Sequence, residues 1–376
     1  MQYHLLILIN VRWWNATAFY AVNIARILHR HGQRVTVACD PRYPAYHMAR
    51  SLGLPVAPLA FGGFNPLRLA LNWHRLLRLI KAEGIDIINS HRSEDHTFAL
   101  LTKLVSAVRV VITRGDQRPI RPGLLSRLRY RAADAVIVTC RAIIHQNSAI
   151  FSGIVQRVHV IYGSIDEEHL ASHSTSKEAM DLELPPTGAL VVGMVGRISK
   201  TKDQYTFIRA AALIAHRHPQ VTFLIAGDGV NDPRRGIGQL LASHGLKNRF
   251  RLIPCVEHIG EVIRRIDIGV ITSVRSETIS RVLLELFFFK KPVIATRINV
   301  IGEMIQAGVN GELFAPGDVR RLAALMDKLI QSSELRTRYG QNAHRCYQRK
   351  YTPAVFRRQY QAVLQRVMRP CRQGVG

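Results

Sequence analysis

The feature that most constrains this chain is an alternation of short apolar runs with longer amphipathic ones, played through twice. In the first half, strand-like runs at 4–9, 34–39, 56–60, 85–89, 109–113 and 135–139 are separated by helix-period segments at 18–31, 67–82, 96–105 and 124–132. Strands that alternate with helices pair in parallel, and the helices cover both sheet faces. A stretch without periodicity follows at 171–188, carrying Ser172-His173-Ser174-Thr175 and Pro185-Pro186, and it reads as a linker. The pattern then restarts with runs at 190–195, 221–226, 251–253, 268–272 and 293–296, and closes on basic amphipathic segments at 319–332 and 353–368. At 376 residues the chain exceeds one ordinary core. The expectation is an α/β fold of two Rossmann-like domains facing each other across a cleft, with ligands at the carboxyl ends of the strands. Residues 1–170 form the first domain, 189–352 the second, and helix 353–368 crosses back to the first.

The surroundings of the chain are bounded by what it lacks. Cys39, Cys140, Cys255, Cys346 and Cys371 are odd in number, scattered and without CxxC spacing, which argues against a disulfide framework and against zinc. The opening apolar run has neither a basic leader nor a small-residue cleavage site, so it reads as a strand. No apolar run approaches the roughly 20 residues of a membrane-spanning helix. A cytoplasmic or peripheral protein is expected. Its 52 Lys+Arg against 26 Asp+Glu give a net charge of +26, a surface that attracts polyanions, anionic headgroups or an acidic substrate.

Chemistry concentrates in the second half. In the stretch from Val274 to Val293, Glu277 and Glu285 stand eight positions apart across a loop-to-helix junction, with Ser280 as N-cap and Lys290-Lys291-Pro292 as terminator. Glu285 lies in an otherwise apolar helix, where a carboxylate is costly unless something pairs with it. A ligand rich in hydroxyls or a neighbouring Arg would serve equally. Upstream, Gly193-Met194-Val195-Gly196-Arg197 ends a strand and leads to Lys200, Lys202 and Asp203, a glycine tip followed by cations that suit a diphosphate. A further strand ends in Gly227-Asp228-Gly229, a weak signal by itself.

Taken in order, G-R-x4-K (Gly196, Arg197, Lys202), A-G-D-G (Gly227, Asp228, Gly229), E-x7-E (Glu277, Glu285), K-P-V-I-A-T and G-x-N-G-E-L-F-A-P-G-D (Gly308, Asn310, Gly311, Pro316, Gly317, Asp318) resemble the retaining GT-B glycosyltransferases of family 4, the glycosyl transferases group 1. The segment Ile161-Tyr162-Gly163-Ser164-Ile165-Asp166 resembles that family's interdomain P-N-G-V-D, with Tyr162 in place of Asn. The resemblance covers about 160–330, and the N-terminal half only by architecture. It implies a nucleotide-diphosphate sugar as donor substrate, no cofactor and no metal. Arg197 and Lys202 would hold the donor diphosphate and neutralise the leaving nucleotide. Glu285 would take the ribose hydroxyls and Glu277 the hydroxyls of the transferred sugar. The backbone around Thr278, Ile279 and Ser280 would contact phosphate and sugar. Transfer would proceed by front-face attack, the departing phosphate accepting the acceptor's proton. Paired carboxylates acting as a hydrolase would need about 5 Å between them and a different fold.

The first half departs from the family. Its glycine-rich loop is replaced by Asn10 to Thr17, where Asn15, Ala16 and Thr17 open a helix whose N-terminus would face a phosphate. The family histidine after the fourth strand is missing, and Arg114 and Asp116 stand there as candidates for sugar or acceptor contact, Asp116 on the catalytic side. His91-Arg92-Ser93-Glu94-Asp95-His96 is the other polar group expected at the cleft, with His91 on the acceptor side. The i,i+5 spacing of its histidines suits a metal poorly.

Cationic segments at 67–81 and 118–131, with Trp73 and several leucines between the charges, suit an anionic membrane interface, although Leu71, Leu76, Leu79 and Ile80 also fit packing on the sheet. The acceptor would then be a lipid-linked or lipopolysaccharide glycan at the inner face of the cytoplasmic membrane. The rivals are a nucleotide-sugar epimerase or phosphorylase on the same architecture, and a basic nucleic-acid-binding protein. The last lacks any helix-turn-helix, zinc or RNP pattern, so nucleic acid is not an expected partner.

Overall fold

The computed structural model describes residues 3–62, 65–172, 184–186, 188–229, 233–256 and 258–369. Most of the expected linker at 171–188, and Cys371, lie outside the described residues. The chain forms two compact units, one running to Ser164 and taking back the chain from Pro353, the other Ile165–Thr352.

The first unit holds a seven-stranded sheet of β1 (His4–Leu8), β2 (Arg34–Cys39), β3 (Val56–Pro58), β4 (Ile87–Ser90), β5 (Arg109–Arg114), β6 (Ala135–Val138) and β7 (Val158–Val160), in the order β3-β2-β1-β4-β5-β6-β7. Every pairing is parallel, as in Leu5 opposite both Val35 and Ile87. Parallel strands buried on both faces read as continuous apolar runs, and β1 and β6 are buried throughout. Right-handed crossovers put the helices that follow β1 and β2 on one face and those that follow β3, β4 and β5 on the other. The returning helix Pro353–Met368 joins the first group, with Phe356 edge-on to Tyr20 at 5.4 Å and Tyr360 Oη donating to Asn89 Oδ1 at 2.6 Å.

The second unit repeats the plan with β8 (Leu190–Val195), β9 (Val221–Ala226), β10 (Phe250–Ile253), β11 (Ile268–Ile271), β12 (Val293–Thr296) and β13 (Glu312–Phe314), ordered β10-β9-β8-β11-β12-β13 and again parallel. Phe207, Phe223 and Phe250 cluster in its core, the last two stacked at 5.1 Å. The stretch 165–170, assigned from sequence to the first domain, belongs here. Its helix Glu167–Ala171 lies on Ile259–Arg265, where Arg264 Nη2 donates to Ala171 O at 2.6 Å and Gly260 leaves no Cβ to strike Leu170 O. Helices Pro44–Ser51 and Ser333–Lys350 escaped the periodicity reading. The second buries only Tyr339, Gly340, Ala343 and Tyr347, so little of its apolar pattern is visible.

Candidate functional site

Strand order reverses between β8 and β11, and that switch point is where open α/β sheets leave a crevice at their carboxyl edge. The loop after β8 and the loop after β11 flank it. Thr272 Oγ1 donates to Lys202 O at 2.7 Å and Asp203 O at 2.8 Å, and Val274 N donates to Thr201 O at 2.9 Å, so the two loops are held as one. Three residues other than glycine take the left-handed backbone conformation here, Asp203 (φ 53), Ser280 (φ 31) and Asn299 (φ 39). Such conformations cost of order 1–3 kcal/mol each and persist where the surroundings over-determine them.

Into this setting the fold brings Lys202 and Glu277 as an ion pair, Nζ meeting Oε1. Ser273 Oγ donates to the same oxygen at 2.6 Å, and the Glu277 amide donates to Asn299 Oδ1 at 3.2 Å. Glu277, Thr278, Ile279 and Ser280 are all buried. Ser280 occupies the N-cap position of helix Arg281–Phe288, but its side chain makes no capping bond; its carbonyl accepts from Leu283 N at 3.1 Å instead.

One turn into that helix, Glu285 is 3% exposed. Arg281 Nε reaches its Oε1 at 2.9 Å, the i,i+4 arrangement, while Oε2 is buried and has no hydrogen-bond partner among the described residues. The sequence left open whether an Arg or a ligand satisfies this carboxylate. Arg281 satisfies one oxygen and leaves the other. An orphaned buried acceptor costs about 1–3 kcal/mol.

At the tip of β8, Gly196 (φ 143) and Gly227 (φ 141) after β9 lie back to back, and a Cβ on Gly227 would fall 2.3 Å from Gly196 O. Only glycine fits, and the backbone there is bare. Arg197 beside it is exposed, with no side-chain partner among the described residues. Asp228 is engaged elsewhere, taking Arg234 Nη2 at 2.6 Å and the Cys255 amide at 2.9 Å. Gly229 closes the described part of this turn. Ser273, Asn299 and Arg281 were not singled out from sequence. Ser273 lies just beyond an apolar strand at the same edge as Glu277, a positional signal that spacing alone does not rank.

In the first unit the equivalent switch point lies between β1 and β4. Asn10 stitches it: its amide donates to Asp95 Oδ2 at 3.0 Å, its Nδ2 to Asp95 Oδ1 at 2.8 Å, and its Oδ1 accepts from Asp40 N at 3.0 Å. Burial pushes the Asp95 carboxyl up to about 7. Asn15 is the N-cap of helix Ala16–Arg30, its Oδ1 accepting from Ala18 N at 3.0 Å, with Thr17 in the first turn. The group from His91 to His96, expected at the ligand edge, turns inward at its histidines. His91 has both ring nitrogens unpartnered among the described residues, its burial drives its pKa down to about 3, and His96 Nδ1 meets Ser90 Oγ at 2.9 Å. Arg114 is buried at the end of β5, paired with Asp116 Oδ1 at 3.0 Å and donating to Tyr130 Oη at 3.3 Å.

Two Rossmann-like units, each with its switch-point edge built from loops after parallel strands, are the GT-B architecture. The family described as Glycosyl transferases group 1 matches residues 176–345, Glycosyltransferase Family 4 matches 17–169, and the chain belongs to these glycosyltransferases. Among curated relatives, it is 30% identical over 155 residues to the alpha-D-kanosaminyltransferase of Streptomyces kanamyceticus, covering 41% of this chain and 39% of that protein. It is 28% identical over 159 residues to the lipopolysaccharide core biosynthesis glycosyltransferase LpsE of Rhizobium meliloti, covering 42% and 45%. The chain thus spans less than half the length of these two. Over a longer stretch it is 22% identical to the N-acetyl-alpha-D-glucosaminyl L-malate synthase of Bacillus anthracis, covering 83% and 82%. The Anabaena protein Alr3699/HepE, solved with UDP and glucose, shares the fold with a TM-score of 0.78 at 22% identity, covering 97% of this chain and all (100%) of that one. A glycosyltransferase from Rickettsia africae does so with a TM-score of 0.86 at 16% identity, covering 98% and 99%.

Proposed function

We propose that this protein transfers a hexose-like sugar from a nucleotide-diphosphate sugar to a glycan acceptor, with retention and without a metal. The observation that carries the reading is Glu285: a carboxylate oxygen buried one turn into the helix that follows the β11 loop, without a partner among the described residues, suits a hydroxyl-bearing ligand. In this reading the ribose hydroxyls donate to Glu285, and Arg197 takes the diphosphate beside the bare backbone of Gly196, Gly227 and Gly229. Lys202 serves that diphosphate too while holding Glu277 in place, since an ammonium has three donors. Glu277, fixed by Lys202 and Ser273, accepts from hydroxyls of the transferred sugar. The cations stabilise the charge that builds on the leaving nucleotide, and fixed charges of this kind lower a barrier because they need no reorganisation. The departing phosphate takes the acceptor's proton, so no protein nucleophile is required. UDP in the related Anabaena structures supports a nucleotide-sugar donor.

The acceptor reading is a lipid-linked or lipopolysaccharide glycan, supported by the name of the Rhizobium relative, with Asp116, Arg114, Asn15, Ala16 and Thr17 on its side and the buried His91 no longer among them. The enzyme would then work at the inner face of the cytoplasmic membrane. Among the described residues no helix is long and apolar enough to cross a membrane. A panel of nucleotide sugars, assayed for release of the nucleoside diphosphate, tests the reading. One donor should be turned over by the parent and not by Glu285→Ala. Turnover of none, or equal turnover by both, removes the donor assignment.

A further inference from the structure

Resting on that membrane-acceptor reading and naming its partner surface, we infer that one helical layer of the first unit is a docking face for an anionic lipid bilayer. The layer consists of helices Pro66–Glu83, Ser93–Val105 and Leu124–Ala132, which follow β3, β4 and β5 and so share one sheet face. Side chains fasten them to one another. Trp73 Nε1 donates to Thr102 Oγ1 at 3.0 Å, and Lys103 Nζ donates to Ala132 O at 2.9 Å and to Asp134 at 2.7 Å.

Each of these helices leaves large apolar side chains outside. Leu67 and Leu71 are 76% and 60% exposed on the first, and Leu104 and Val105 81% and 60% on the second. On the third, Leu124 and Leu125 are 74% and 81% exposed. Within each helix, spacing puts two exposed leucines on one face: Leu67 and Leu71 at i,i+4, Leu104 with the less exposed Leu101 at i,i+3, and Leu124 with Leu128 at i,i+4. Isolated surface leucines are ordinary, but three adjoining helices that each present such a pair form a patch of the kind that marks an interaction site. Ser93–Val105 is the middle helix; it carries Glu94 and Asp95 in its first turn and Lys103 in its last, with no cationic run, so the sequence did not reveal its part.

Charge selects the occupant. Arg68, Arg75, Arg78 and Lys81 lie on the first helix, and Arg127, Arg129 and Arg131 on the third, with no acidic residue between Asp116 and Asp134. A second copy of the chain docked face to face would set these cations against themselves. A bilayer with anionic headgroups accepts both, the leucines entering the acyl boundary and the arginines meeting phosphates.

Co-sedimentation of the full chain with phosphatidylglycerol-containing vesicles, compared with phosphatidylcholine alone, tests this. The parent should pellet with the anionic vesicles, less so as salt rises. The triple variant Leu104→Gln, Leu124→Gln, Leu125→Gln, altered only at exposed side chains, should lose about tenfold or more in partitioning. Nucleoside diphosphate release from a nucleotide sugar in vesicle-free solution should be unchanged in that variant. A parent that stays in the supernatant overturns the inference, as does a triple variant that binds like the parent, equal binding to neutral vesicles, or a parent dimer that the variant dissolves. If vesicle binding behaves as stated while no donor is turned over, the functional reading fails and the docking face stands.

Discussion

Replacing Glu285 with leucine separates a ligand-binding carboxylate from a structural one. The side chain sits in a helix whose neighbours Leu283, Leu284, Leu286 and Phe287 are buried, so a leucine is at home there. Removing the orphaned Oε2 relieves about 1–3 kcal/mol of unsatisfied burial. The pair lost with Arg281, whose side chain is 44% exposed, is an i,i+4 contact worth about 0.3–0.5 kcal/mol. The balance favours the variant by about 0.5–2.7 kcal/mol, which for a unit of this size raises the unfolding midpoint by about 1–11 °C. Donor binding should move the other way. Two hydroxyl hydrogen bonds to a carboxylate contribute about 1.5–3 kcal/mol each, so their loss weakens the donor about a hundredfold or more. Thermal unfolding of parent and Glu285→Leu, each titrated with the nucleotide sugar, reads both quantities at once. A variant several degrees less stable that still binds donor as the parent does would falsify the argument, because Glu285 would then be a structural partner of Arg281 and nothing more.

Other perturbations follow from the same geometry. Lys202→Ala strands the buried Glu277 carboxylate on Ser273 alone and should cost about 1–3 kcal/mol in urea unfolding, while adding Glu277→Gln should recover much of it. Gly227→Ala must fit a Cβ 2.3 Å from Gly196 O at a φ of 141, so a loss above about 2 kcal/mol is expected, read from denaturant midpoints. The pH dependence of the first unit has a sign that can be worked out. Folding raises the Asp95 pKa to about 7, so its contribution is complete below the ordinary carboxylate range and is lost as pH rises towards 7. Folding lowers His91 to about 3 and His96 well below its ordinary value, so their contributions grow as pH rises to about 6.5. As pH rises towards about 6.5 the two histidines outweigh the one carboxylate, and stability should rise with pH. Asp95→Asn should make that rise steeper. Tryptophan fluorescence in urea reports this, since Trp13, Trp14 and Trp73 all lie in the first unit.

Much of the second unit was legible because its candidate site is built from local patterns. The Gly196-Arg197 tip and the Glu277 to Glu285 junction each sit where a strand gives way to a loop or helix. What spacing could not convey was the pairing across the sheet. Lys202 and Glu277 are 75 positions apart and meet only because β8 and β11 are neighbours at the strand-order reversal. The first unit was harder to read for a related reason. Asn10 and Asp95 look like ordinary polar residues, and only the adjacency of β1 and β4 makes them a closed hydrogen-bonded set. The histidines of the 91–96 group seemed available from sequence because polarity suggests exposure, yet the same turn that places Asp95 under Asn10 carries His91 and His96 inward. The domain boundary shifted by a few residues because helix Glu167–Ala171 is too short to show a period and is held by Arg264, a partner 93 positions on from Ala171.

The central claim is that the switch-point edge of the second unit holds a nucleotide-diphosphate sugar. Photoaffinity labelling with an azido-uridine nucleotide sugar, followed by peptide mapping, addresses it without depending on the acceptor. Labels should fall in peptides carrying Gly196 to Lys202, Gly227 to Gly229, or Glu277 to Glu285, and unlabelled donor should suppress them. Labels confined to the first unit, or insensitive to unlabelled donor, would contradict the claim.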